Sequence, residues 1–132
     1  MPKVRKSELP PPTDAELEVL QVLWRLGPSP VREVHDAIAK TKPVGYTTVL
    51  KQMQVMQEKG LLTRSERFRA HVYEAREPRG RTQQQLAHSL LLKAFGGSTR
   101  ELLQSALAGR RVEREELAEI RKLVNDLEGR PR

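Results

Sequence analysis

Two glycines, Gly45 and Gly60, bracket the stretch that most constrains this chain. Glycine accepts the backbone angles that a helix end or turn requires, so a helix is predicted between them. Inside those bounds Val49, Met53 and Met56 recur at i, i+4 and i+7. That spacing puts them on one face, which should be buried. Thr47, Thr48, Lys51 and Gln54 fall on the opposite face, where they offer hydrogen-bonding groups and positive charge without a carboxylate. Such a face suits a groove lined with base edges and phosphates. It is equally the solvated face of an ordinary amphipathic helix, and the helix alone does not decide between the two.

The residues after it bear on that choice. Leu61 to Ala75 reads as two short strands joined by a tip at Arg67, Phe68 and Arg69, although no glycine marks the turn. A hairpin directly after a polar-faced helix is the order of a winged helix-turn-helix. In that arrangement the helix enters the major groove, and an arginine-bearing wing lies against the neighbouring backbone.

Charge agrees with this reading. The chain has 132 residues, 24 Lys and Arg against 17 Asp and Glu, and a net charge of +7. That balance favours a polyanionic partner, nucleic acid or an anionic membrane surface. Between Lys59 and Arg81 the basic residues Lys59, Arg64, Arg67, Arg69, Arg76, Arg79 and Arg81 face only Glu66, Glu74 and Glu77, so the excess concentrates in the expected wing. The aromatic residues Trp24, Tyr46, Phe68, Tyr73 and Phe95 are too few and scattered for a base-stacking platform. The absence of cysteine excludes disulfides, thiolate metal sites and a cysteine nucleophile. His35-Asp36 invites acid-base or metal chemistry, but neither His71 nor His88 lies at ligand spacing from it. No catalytic residue, metal site or cofactor is therefore expected. The N-terminus runs into prolines rather than an apolar segment, and no stretch approaches membrane-spanning length. Cytoplasmic location without membrane insertion is expected.

Taken in order, residues 1–12 form a basic arm ending in Pro10-Pro11-Pro12, which suits an extended conformation. Thr13-Asp14-Ala15-Glu16 has the spacing of a capping box and should start a helix carrying Leu17, Leu20 and Trp24 to a stop at Gly27-Pro28. Trp24 reads as a core anchor. Ser29-Pro30 reads as a cap and first-turn proline for a second helix burying Val31, Val34 and Ile38. Lys40 to Gly45 is the turn, and its two lysines either touch phosphate or are solvated. Residues 13–76 thus make a winged-helix domain.

Arg76-Glu77-Pro78-Arg79-Gly80-Arg81 has the composition of a charged, extended linker. Residues 77–132 form the second domain. It is read as three helices: about Thr82 to Phe95, one opened by a capping box at Ser98 to Glu101, and about Val112 to Glu128 with Glu113, Glu115 and Glu116 in its first turn. Their apolar positions include Leu86, Leu90, Leu102, Leu103, Leu117, Ile120, Val124 and Leu127. Three short helices bury too little surface to be secure alone. Two chains sharing them would make a homodimer, and a twofold pair reads two half-sites. The competing arrangement folds these helices back onto their own winged helix.

The segments Thr13 to Leu20, Val22-Leu23-Trp24, Tyr46-Thr47-Thr48-Val49, Glu58 to Leu62 and Val72-Tyr73 resemble the penicillinase repressor family, the BlaI/MecI/CopY group. The junction Lys93 to Ser98 and the Glu-rich last helix are similar to its C-terminal half, so the resemblance runs from Thr13 to Leu127. It implies a homodimeric bacterial repressor with an N-terminal winged helix, a C-terminal helical dimerisation domain and a palindromic double-stranded DNA operator. Thr47, Thr48, Lys51 and Gln54 match the family's recognition-helix positions, and Arg67 and Arg69 match its wing. Val55 stands where many relatives have arginine, and Phe68 where glycine is common. The copper-sensing branch's C-terminal cysteine motif is absent.

In the penicillinase branch a membrane sensor protease leads to cleavage in the dimerisation domain. The matching bond here is Ser105-Ala106, without the asparagine and phenylalanine of the best-known members. The expected function is sequence-specific repression, relieved by proteolysis or another upstream signal. The alternative is a winged-helix interaction module whose basic face docks an acidic protein partner.

Overall fold

The computed structural model describes residues 11–67 and 69–130. The first ten residues of the expected N-terminal arm, and Phe68 at the expected wing tip, lie outside the described residues. Those described form six helices and one two-stranded sheet, in the order α1 (Asp14–Leu26), α2 (Val31–Ala39), α3 (Tyr46–Glu58), β1 (Leu62–Arg67), β2 (Ala70–Ala75), α4 (Arg79–Phe95), α5 (Thr99–Leu107) and α6 (Arg114–Glu128). The fold is mainly α with a small β-hairpin, and three helices followed by a hairpin make a winged helix-turn-helix.

The capping box at the start of α1 is complete. Glu16 N–H donates to Thr13 Oγ1 at 3.2 Å, and Thr13 N–H donates to Glu16 Oε1 at 2.9 Å. Gly27 closes the helix with φ 82° while its N–H reaches Leu23 O. Val19, Leu20, Val22 and Leu23 are buried against Val31, Val34 and Ile38 of α2 and Val49, Met53 and Met56 of α3. Leu62 and Tyr73 of the hairpin complete the core, and Trp24 packs at its edge with Nε1–H donating to Glu77 O at 3.0 Å.

Glu16 does more than cap. Its side chain is almost fully buried, and Lys59 Nζ, just past the end of α3, donates to Oε2 at 2.9 Å. Burial acts to raise its pKa, but the Thr13 N–H and the Lys59 ammonium outweigh that and hold it below the ordinary value. A depressed carboxylate contributes stability that is present above its unfolded pKa and is lost as pH falls through the folded one. Glu16→Gln is therefore expected to cost about 1 kcal/mol at neutral pH. In urea titrations the gap between variant and wild type should close in acid. A gap that stays constant with pH would show that the charge contributes nothing.

Several sequence expectations need correction. Ser29 does not cap α2: the N-cap is Pro30, with no side-chain bond. Ser29 is instead extended and pairs with Tyr73, with backbone bonds of 2.9 and 2.8 Å in the two directions. Its hydroxyl donates to Gly27 O at 2.8 Å, so it is not free to cap. Helix α4 starts at Arg79, not Thr82, because Pro78 accepts the first-turn N–H groups of Arg81 and Thr82. The expected linker is thus partly helical. At Ser98 only half of the capping box forms, Glu101 N–H to Ser98 Oγ at 3.1 Å. Helix α6 starts at Arg114, with Glu113 as its N-cap residue rather than in its first turn.

The chain divides into two compact units between Ser89 and Leu90. The first contains the core just described and the start of α4, where Thr82 is buried and Leu86 half-buried. In the second, neither α5 nor α6 buries a single residue. Leu90, Leu92, Leu103, Leu117, Leu123, Val124 and Leu127 are all exposed.

Candidate nucleic-acid interface

Helix α3 is aimed by both its ends. At the N-terminus Gly45 is the N-cap residue without a side-chain bond, and the first turn carries no acid. At the C-terminus Gly60 adopts φ 86°, a left-handed conformation that suits glycine, and Leu61 N–H returns to Met56 O. The chain can then enter β1 directly. With Met53 and Met56 wholly buried, the opposite face must point outward: Thr47, Thr48, Lys51 and Gln54 are all exposed. Residues 47, 51 and 54 follow one helical stripe with Thr48 beside it. Among the described residues no carboxylate pairs with Lys51.

The wing supplies a second positive surface. Strands β1 and β2 pair antiparallel in a register from Leu62↔Ala75 to Arg67↔Ala70. Closing a hairpin so tightly requires left-handed backbone, and with no glycine present Arg69 adopts it, at φ 63°. Arg64, Arg67 and Arg69 are exposed, and none has an acidic partner among the described residues. Glu66 lies 3.4 Å from His71 instead. The structure thus places the polar stripe of α3 and the arginines of the hairpin in one unit, as separate exposed surfaces.

The other expected sites fall as follows. Lys42 pairs with Glu18 at 2.8 Å, which leaves it less available for phosphate. His35 braces the turn between α2 and α3, with Nε2 2.9 Å from Val44 O and Nδ1 3.2 Å from Asp36 Oδ1. Leu90, Leu103, Leu117, Val124 and Leu127 are exposed, while Leu102 and Ile120 are half-buried. Leu86 lines a groove of about 610 Å³ in the first unit together with Leu17, Trp24 and Arg79. Ser105 and Ala106 are exposed on α5.

Two residues that sequence reasoning passed over lie beside the start of α3. Arg32, in the first turn of α2, stacks over the ring of Tyr46 with its Cζ 5.7 Å from the ring centroid. The signal was an aromatic residue at the first position of a helix whose apolar stripe does not need it.

Comparison with known proteins adds the following. The family model described as penicillinase repressor matches residues 12–126. The transcriptional regulator BlaI of Mycobacterium tuberculosis (strain ATCC 25618 / H37Rv) is 38% identical over 61 residues, which is 46% of this chain and 44% of that protein. The match therefore spans less than half the length of that relative. The penicillinase repressor of Bacillus licheniformis is 24% identical over 123 residues, 93% of this chain and 96% of that protein. Among solved structures, the solution structure of the Bacillus licheniformis BlaI monomeric form in complex with the blaP half-operator superposes with a TM-score of 0.48 at 28% identity, covering 54% of this chain and 87% of that one.

Proposed function

This chain belongs to the penicillinase repressor family, and on that premise we propose that it is a sequence-specific DNA-binding transcriptional repressor that acts as a homodimer on a palindromic operator. The observation that carries the reading is the exposed, carboxylate-free stripe of α3 alongside an arginine-bearing hairpin. Thr47, Thr48, Lys51 and Gln54 read base edges, while Arg67 and Arg69 hold the flanking backbone. Residues 13–76 carry the DNA contacts. The helices of residues 77–132 pair two copies, with the exposed leucines of the second unit as the shared surface. Such a protein works where the chromosome is, in the cytoplasm.

Relief of repression belongs to the same reading. Ser105 and Ala106 sit on a helix that buries no residue, so local unfolding there costs little and a protease set off by a membrane sensor can reach the bond.

Lys51→Ala is expected to weaken binding to the preferred operator by about 1–3 kcal/mol and to relax its sequence preference. Arg67→Ala or Arg69→Ala should weaken all duplexes alike and reduce the salt slope by about one. Gel-shift titrations on operator and scrambled duplex measure both. Equal losses on the two duplexes for Lys51→Ala would remove it from the base-reading set.

A further inference from the structure

We propose that Arg32, held against the ring of Tyr46, is a preassembled contact to a DNA backbone phosphate at the N-terminal edge of the recognition helix, with His35 as the residue that positions it. The inference rests on the reading of α3 as the groove-entering helix.

Tyr46 is the first residue of α3 and is 42% exposed, so it contributes little to the core. Its ring is nevertheless held from two sides. The Arg32 guanidinium lies over it at 5.7 Å, and the His35 ring meets it at 5.9 Å with an interplanar angle of 70°. His35 Nε2 in turn approaches Val44 O, two residues ahead of Tyr46, at 2.9 Å. The first helix of the motif and the start of the second are thereby fixed to each other through these three side chains.

A guanidinium that stacks by its face still has its N–H edge free. Among the described residues no carboxylate pairs with Arg32. An exposed, unpaired, orientationally restrained arginine fits an anionic oxygen pair better than a freely rotating one, because less side-chain freedom is lost on binding. Its location selects the anion. In a helix-turn-helix the second helix lies in the groove while the preceding one crosses the backbone, and Arg32 is on that preceding helix, next to the start of the second. A phosphate contact also fits the sequence-independent role, since nothing on Arg32 points along the stripe of Thr47, Lys51 and Gln54.

The test uses a duplex selected from a random pool by the wild-type chain, titrated by fluorescence anisotropy across a salt series. Arg32→Ala is expected to lose about tenfold in affinity at low salt, equally on selected and scrambled duplexes, and to flatten the salt slope by about one. Tyr46→Phe keeps the ring and should bind within about twofold of wild type. Tyr46→Leu removes it and should lose affinity as Arg32→Ala does, with the double variant no worse than either single one. His35→Gln should weaken binding without changing the salt slope. Thermal melts separate these effects from unfolding, since Arg32 is exposed and its loss should leave the midpoint in place. An unchanged slope for Arg32→Ala, or full affinity for Tyr46→Leu, overturns the assignment. If Lys51→Ala still loses sequence preference in that case, only the phosphate contact falls. If the wild-type chain selects no duplex at all, the repressor reading falls with it.

Discussion

Val124→Glu is expected to leave the protein monomeric and to reduce its apparent affinity for a full palindromic operator by about 10² to 10⁴, while binding to an isolated half-site stays unchanged. The second unit gives the reason. Leu117, Val124 and Leu127 recur along α6 at i, i+7 and i+10 and are 40%, 42% and 52% exposed, with Ile120 half-buried between them. A helix whose apolar stripe is open to water along its whole length gains no hydrophobic stabilisation, and a second copy is the economical cover. A carboxylate placed in the middle of that surface would have to be desolvated without a partner, at a cost of several kcal/mol. Association then fails although α6 remains a helix, since glutamate is a good helix former. Once the copies separate, the second half-site contact is no longer intramolecular and its advantage disappears. Sedimentation equilibrium reports the first effect, and paired titrations on the whole operator and a half-site report the second. A variant that stays dimeric places the interface elsewhere.

How far the sequence anticipates this molecule depends on the range over which each signal acts. The capping box at Thr13 and Glu16, the stripe Val49, Met53 and Met56, and the glycine stop at Gly60 are set by neighbours within one or two turns, and each appears as the pattern implies. Ser29 shows the limit. Its place before a proline fits a helix cap, but a partner 44 positions further on, Tyr73, claims its backbone and changes its role. No local pattern carries that pairing. The same holds for Glu16, whose spacing announces the cap but not Lys59 beyond the far end of α3.

The site divides along the same line. The outward set on α3 follows from the inward one, because burying Met53 and Met56 obliges Thr47, Lys51 and Gln54 to face away. Arg67 and Arg69 follow from their place at the hairpin tip. Arg32 does not, because its relation to Tyr46 crosses a helix-helix turn whose angle the sequence leaves open. Arg69 is a different case: the missing turn glycine was visible, and the structure resolves it by putting the arginine itself at positive φ. Arginine accepts that conformation at a cost of roughly 1 kcal/mol, which ties the wing's basic tip to mild backbone strain.

Tyr73→Ala is expected to cost about 3–5 kcal/mol, the largest stability loss of any single change considered for the first unit. The ring is 1% exposed and packs with Leu62 and the residues of all three N-terminal helices. Removing it leaves a large cavity where sheet and helices meet, and the surroundings can collapse only in part. Domains of this size have only about 5–15 kcal/mol in total, so a substantial fraction of the margin would go, and the melting midpoint should fall by roughly 4–8 °C for each kcal/mol. Function should fail through the same residue. Tyr73 bonds Ser29 between α1 and α2 with its backbone, and in the hairpin register it stands opposite Arg64, so it joins the stem of the wing to the helices that carry α3. Tyr73→Phe keeps the ring and should cost much less. Thermal melts beside operator titrations distinguish this from the loss of a contact: Arg67→Ala should weaken binding at an unchanged midpoint, whereas Tyr73→Ala should lower the midpoint first and lose binding as the fold is lost. If Tyr73→Ala melts with the wild type, the wing is not anchored through this ring.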